Sequence, residues 1–174
     1  MNEKLLEEGT PNPHGEALVD ELRWIHGIIR ENLAAIRALA DEVGGGAPAT
    51  EIHARLTELS ANNIVWTLRT GCLRYCALVH MHHGGEDHHF FPGLRRLNPA
   101  LRPVIDKLEA DHVAIAGYLD GVEAAARRMG ADEAARATLA GALNALAAHL
   151  ITHLDYEEAN LNPTLRRLTG WPIG

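Results

Sequence analysis

Aromatic residues make up only 5% of this 174-residue chain. Strands draw heavily on aromatic and β-branched side chains, so this scarcity, beside an abundance of Ala and Leu, favours helices. Cysteine is nearly absent as well. Cys72 and Cys76 are the only two; four apart on a helix they point along one face without the geometry of a bridge, and they are expected as buried free thiols in a reducing compartment. Positive charge is also short. Sixteen Lys and Arg against 23 Asp and Glu leave a formal charge of -7, which excludes a general electrostatic grip on nucleic acid or on an anionic membrane. Long apolar runs are missing too: the opening stretch MNEKLLEEGTPNPHGE has no hydrophobic centre of a leader, and LAGALNALAAHLI is interrupted by Asn144 and His149. The expected protein is soluble and cytoplasmic. Its partners are small molecules or other proteins, with room for a homo-oligomer.

What is present is helical periodicity. With 47% apolar residues the chain can bury one sizeable core, so a single domain is expected, its core over about 15–168 and residues 1–13 a flexible N-terminal segment. One helix is predicted from about Gly15 to Val43, with Leu22, His26, Ile29, Leu33, Ile36 and Ala40 at three-or-four spacing. Gly44-Gly45-Gly46-Ala47-Pro48 ends it. Thr50 to Leu59 reads as a short accessory helix, and Ser60-Ala61-Asn62-Asn63 as the break before a second long helix that carries Trp66, Leu73, Cys76, Val79, His83 and Glu86 until Pro92 stops or kinks it. A third pattern, about Ala100 to Met129, aligns Ile105, Leu108, His112, Ile115, Leu119 and Val122; a fourth, about Asp132 to Asn160, aligns Leu139, Leu143, Leu146, Leu150, His153 and Glu157. Four amphipathic helices with short connections predict an all-α fold, an antiparallel up-down-up-down four-helix bundle.

Histidine is the residue in excess. HMHHGGEDHHFFP, residues 80–92, holds five histidines and two acids, and it is one half of an internal repeat. HHGGEDHHFFPGLRRL (82–97) lies over HLDYEEANLNPTLRRL (153–168), matching His82 to His153, Glu86 to Glu157, Asp87 to Glu158 and Pro92 to Pro163; upstream, LRWIH lies over LEADH and pairs His26 with His112. Each half is a helix with one His followed by a helix with His-x-x-x-Glu. The i,i+4 spacing stacks imidazole and carboxylate one turn apart on one face, which suits a ligand to each of two metals or a carboxylate bridging both. At about 1.5 Å per residue, His26 and His82 fall within roughly one turn of the same height in their hairpin, and His112 and His153 do likewise in theirs. His83 reaches the neighbouring groove of the same face. Charged and polar groups on a core stripe are costly unless paired, and metal ligation removes that cost. The absence of Cys from the cluster disfavours iron-sulfur and structural zinc sites, while imidazole with carboxylate suits Fe, Mn, Co or Zn.

This H...HxxxE repeat, with FP and NP after its second and fourth helices, resembles the hemerythrin-like, or HHE cation-binding, family over nearly the whole chain, and the HHxxED version is similar to actinobacterial members. The resemblance implies a non-haem centre of two iron ions, Fe2+ or Fe3+, held by His26, His82, Glu86, His112, His153 and Glu157. Glu86 and Glu157 would bridge the ions together with an oxo, hydroxo or water group. Oxygen-carrying members place a second His one turn after the third-helix His; here Ala116 stands there, and His83 is the expected replacement from the second helix.

Several neighbours carry weaker expectations. Asp87 and Glu158 are placed to accept the distal N–H of ligand imidazoles, or else lie on a solvated face. His149 and His89 are alternative ligands or supports, His80 and His88 exposed, His14 and His53 surface residues. Gly84 and Gly85 either open a path for a small molecule, tolerate a helix bulge that aims His83 inward, or mark a helix nearing its end. Tyr75 is expected in packing. Trp24, Trp66 and Trp171 are core or interface anchors. Three functions compete: binding or sensing of O2 or NO; catalase-like decomposition of hydrogen peroxide, with His80, His89 or His149 shuttling protons; and a ferritin-like carboxylate site using Glu86-x-x-His89 and Glu109-x-x-His112.

Overall fold

A computed structural model describes residues 4–44, 61–129 and 133–172. The fold is all-helical: α1 (Pro13–Gly44), α2 (Ala61–Gly85), a π-helical turn (Glu86–Phe90), α3 (Phe91–Leu97), a 3-10 turn (Pro99–Leu101), α4 (Arg102–Arg128) and α5 (Glu133–Leu165). The four long helices match the four expected ones. The short helix expected over Thr50–Leu59 lies outside the described residues. Helix α1 packs on α2 and α5, and α4 packs on the same two.

Each long helix buries one stripe, and the stripes share a plan. Apolar residues fill two cores. One holds Ile29, Leu33, Val79, Ile115, Leu119 and Leu150; the other holds Leu22, Phe90, Phe91, Leu108 and Leu161. On each long helix the change from one core to the other falls at a buried polar residue: His26 on α1, His83 near the end of α2 with Glu86 opening the π turn, His112 on α4, His153 and Glu157 on α5. A polar layer therefore lies between two apolar blocks. Each fully buried Leu or Ile in those blocks contributes about 1.5–3 kcal/mol, and that packing is what holds these six polar side chains out of water.

Pro92 does not end the second helical run. The chain widens into the π turn at Glu86–Phe90 and continues as α3 to Leu97. Proline lacks the N–H and crowds the carbonyl one turn back; the wide turn just before it relieves both demands. The bulge contemplated for Gly84 and Gly85 thus begins one residue later. Its counterpart in the repeat, Pro163, lies inside α5, which runs past the expected end to Leu165. Buried Leu161, Thr164 and Leu165 hold this last turn in the second core.

The chain ends are tied together. Leu5 bridges Leu168, Leu6 N–H donates to the Arg167 carbonyl at 2.8 Å, and Asn12 Nδ2 donates to the Arg166 and Leu168 carbonyls. Residues 4–6 of the segment expected to be flexible are thereby paired. Two glycines permit close approaches here. A Cβ at Gly15 would lie 2.2 Å from the Arg166 carbonyl oxygen, and one at Gly93 only 1.5 Å from that of Pro172. Beyond α5 the chain crosses α3 as a strap, with Trp171 edge-on to Phe90 and its indole N–H donating to Glu21.

By length and composition alone, Ala134–Leu165 could cross a membrane, with mean hydropathy 1.3. Its Leu139, Leu143, Leu146, Leu150 and Leu154, however, are buried in the first core.

Candidate metal centre

The polar layer brings the repeat-matched residues together in two groups. His26, His82, Glu86 and Glu157 offer one donor atom each within 4.8 Å of one another, and so do His83, His112 and His153. The carboxylates touch both groups. Glu86 Oε1 lies 3.3 Å from His82 Nε2, and its Oε2 lies 3.5 Å from His112 Nε2. Glu157 Oε2 lies 3.6 Å from His26 Nε2 and 3.8 Å from His153 Nε2. The i,i+4 spacing within α5, and its equivalent across the α2–π junction, puts each carboxylate one turn beyond its own imidazole and within reach of the helix opposite.

The imidazoles are oriented from behind. His26 Nδ1 lies 2.9 Å from Glu158 Oε1 and His112 Nδ1 lies 2.7 Å from Asp87 Oδ1. Since His26 matches His112 and Glu158 matches Asp87, the two supports obey the pseudo-two-fold of the sequence. An ionised carboxylate only accepts, so each ring carries its proton on Nδ1 and turns a bare Nε2 lone pair inward. Burial alone would raise Glu158, but hydrogen bonds from Arg30 and His26 outweigh it and hold this carboxyl below its ordinary range. Arg30 spans Glu158 and Asp155 at 2.7 Å each. Asp87 has no such clamp; burial and Glu109 push it up.

Fit to a cation is decided by the loose ends. His26 Nε2, His82 Nε2, His83 Nε2 and all four oxygens of Glu86 and Glu157 are buried without a hydrogen-bond partner among the described residues. His112 Nε2 and His153 Nε2 point at each other across 3.1 Å, an arrangement of lone pairs that wants a proton or a cation between them. Burial, reinforced by neighbouring imidazoles, lowers His82 and His112 to about 3. His83 goes lower for the same causes, and His153 is lowered to about 4 by burial against the partial support of Asp111. The same burial, plus Glu157, raises Glu86; burial likewise raises Glu157. Protons thus cannot readily supply the missing positive charge on the nitrogens. Neutral imidazoles and paired carboxylates, converging with nothing else to bind, suit a divalent or trivalent cation.

His83 breaks the symmetry, since its repeat counterpart is Leu154. It stacks on His112 with centroids 4.0 Å apart and planes at 9°, and it supplies a third nitrogen on the side where Ala116 offers none. Other expectations fare differently. His149 is exposed and bound to the Tyr118 hydroxyl at 2.7 Å, its ring stacked on that phenol, so it joins neither donor group. His89 is exposed, and Glu109 is committed to Arg95 through two hydrogen bonds; the Glu-x-x-His donors of a ferritin-like site are therefore not assembled. His80 and His14 are exposed, and exposed His88 turns its ring back to the Gly84 carbonyl. Tyr75 is buried in the first core, while Trp24 and Trp66 are exposed. Cys72 and Cys76 are free and buried, and burial pushes their thiols up to about 11 and about 12.

Two supports went unread in the sequence. Asp111 Oδ2 stands 3.6 Å from His153 Nδ1, and Arg30 clamps Glu158. Each adjoins or follows by one turn a repeat-matched His, which is the signal that could have found them.

The sequence pattern of the hemerythrin HHE cation binding domain matches residues 17–165. No curated protein and no solved structure gives a significant match.

Proposed function

The chain belongs to the hemerythrin HHE cation-binding family, and on that premise we propose that it holds two iron ions and binds a small molecule, O2, NO or hydrogen peroxide, at one of them. One observation carries the proposal: two donor groups both lie against two buried carboxylates that have no hydrogen-bond partner among the described residues. Glu86 and Glu157, each lying against imidazoles of both donor groups, would be ligands shared by the two ions. His83, His112 and His153 would hold one ion, and His26 and His82 the other. Iron held there would supply a redox couple and a place for the small molecule to bind. The chain's own work is to orient the His112 and His26 rings through Asp87 and Glu158, to keep the imidazoles neutral by burial, and to keep bulk water out through the apolar blocks above and below.

The frame we propose is an antiparallel up-down-up-down bundle in a single domain. His26, Arg37 and Val43 along α1 meet Glu158, Asn144 and Arg136 of α5, in descending order. Reversible binding is favoured over catalase-like turnover, because His80, His89 and His149, the expected proton shuttles, all stand exposed and His149 is engaged by Tyr118. We propose that neither nucleic acid nor an anionic membrane is a partner, on the strength of the net charge of -7, and that the protein is cytoplasmic, in keeping with free Cys72 and Cys76.

Metal analysis on untagged protein is the test, with two irons per chain expected. One zinc, or no metal, would overturn the proposal. Oxygen release on adding peroxide to the iron-loaded protein separates the functions: sustained release means turnover, whereas NO uptake without it means binding.

A further inference from the structure

A groove of ≈ 380 Å³ runs between α1 and α2. Trp24 and Met81 stand at its mouth, 66% and 70% exposed, and Trp171 of the C-terminal strap forms an end wall. Its floor is different in kind. There lie His82 and Glu86, nearly buried and with His82 Nε2 and both Glu86 oxygens unpartnered among the described residues. Between mouth and floor the lining is apolar, with Ile25, Leu78 and the open side of Gly85. The one charged group on the rim, Glu21, already accepts from the Trp171 indole at 2.9 Å. We propose that this groove is the path by which a small neutral molecule reaches the His26 and His82 side of the centre, and that Gly85 sets its width. The inference rests on the iron reading above.

Three features favour this path and its selectivity. An ion would shed its hydration against apolar walls at high cost, and the hydroxyls of hydrogen peroxide at some cost, whereas weakly hydrated O2 or NO would shed little. A Cβ at Gly85 would meet nothing within 4 Å, and Gly85 lines the groove, so its bare backbone leaves space there that packing does not require. The rival path is poorer. A cavity of ≈ 320 Å³ between α4 and α5 reaches His153, but Lys107 and Asp111 line it and pair with each other, and it leads to the side with three imidazoles.

Gly85→Leu should fold, since leucine favours helix over glycine and its Cβ meets nothing within 4 Å. With iron-loaded full-length protein and nitric oxide as probe, stopped-flow mixing should show Gly85→Leu binding about tenfold more slowly or worse than the parent, at unchanged iron content. Gly84→Leu, which also meets open space but does not line the groove, and Ala148→Leu on the rival cavity should bind at the parental rate. An unchanged rate in Gly85→Leu, or slowing in Ala148→Leu instead, overturns the path and leaves the iron reading standing. A second readout needs no iron. In metal-free protein, dissolved O2 should broaden the Ile25 and Leu78 methyl resonances, and Gly85→Leu should relieve that broadening. Absence of broadening in the parent overturns the path whatever the iron does, while iron uptake without NO binding overturns the small-molecule reading on its own.

Discussion

An imidazole can offer a metal only the nitrogen it has not committed elsewhere, so the acceptor behind the ring decides which atom faces inward. Asp87 makes that choice for His112 and Glu158 for His26. Removing either, as Asp87→Ala or Glu158→Ala, is expected to weaken metal binding by about 10–100-fold, read by competition with a chelator. Glu158→Ala should be the more damaging, because it also strands the Arg30 guanidinium that Glu158 shares with Asp155. Equal affinities in parent and variants would mean that the rings are held by packing alone. His83 gives a sharper case. Its nitrogen belongs to the three-imidazole group, so His83→Ala should lose one metal of the two and keep the ion on the His26 and His82 side. Loss of both together, by metal analysis, would show that the two groups cannot fill independently. The paired supports were legible because the repeat aligns Asp87 with Glu158. Asp111 was not, since the repeat sets Ile25 opposite it.

At the scale of elements, the two halves of the repeat diverge where their backbones do. HLDYEEANLNP stays α-helical through Pro163, whereas HHGGEDHHFFP widens into a π turn before Pro92. The four long helices could be read from apolar residues at three-or-four spacing, and the height of each His from simple counting. The wide turn could not be read in the same way: it changes the hydrogen-bond register without changing which residues are apolar, and proline rules alone predicted a stop or a kink at Pro92. The strap across α3 was equally hidden, because nothing local to Gly93 records that Pro172 returns to it from the far end of the chain. Its test is direct. Gly93→Ala puts a Cβ where the Pro172 carbonyl oxygen sits, so either the strap or α3 must shift, at a cost of about 1–3 kcal/mol. The expected result is a Tm lowered by several degrees together with a changed Trp171 environment in fluorescence. An unchanged Tm and spectrum would show that the strap does not rest on Gly93.

At the scale of the molecule, a polar layer between two apolar blocks makes stability depend on what balances its charge, and the sign follows from the groups themselves. Burial lowers all five imidazoles below their ordinary 6.5. As pH falls through 6.5 the unfolded chain therefore takes up protons that the folded chain refuses, and stability is lost progressively toward the folded values, about 3 for His82 and about 4 for His153. Glu86 and Glu157 act in the opposite direction. Their folded values are raised above 4.5, so as pH rises past 4.5 the unfolded chain releases protons that the folded chain retains, and stability is again lost. Between 4.5 and 6.5 five imidazoles oppose two carboxyls and the imidazoles prevail; above 6.5 only the carboxyls still act. The metal-free protein should accordingly be most stable near pH 6.5, falling steeply on the acid side and gently on the alkaline side. Bound cations replace the protons on the carboxyls, so the iron-loaded protein should lose the alkaline decline and keep the acid one, where protons compete for the same nitrogens. Urea midpoints of both forms across pH 5–8 measure this. A metal-free midpoint that climbs steadily past pH 7 would mean that Glu86 and Glu157 ionise in the fold unaided, and that the layer needs no cation to hold them.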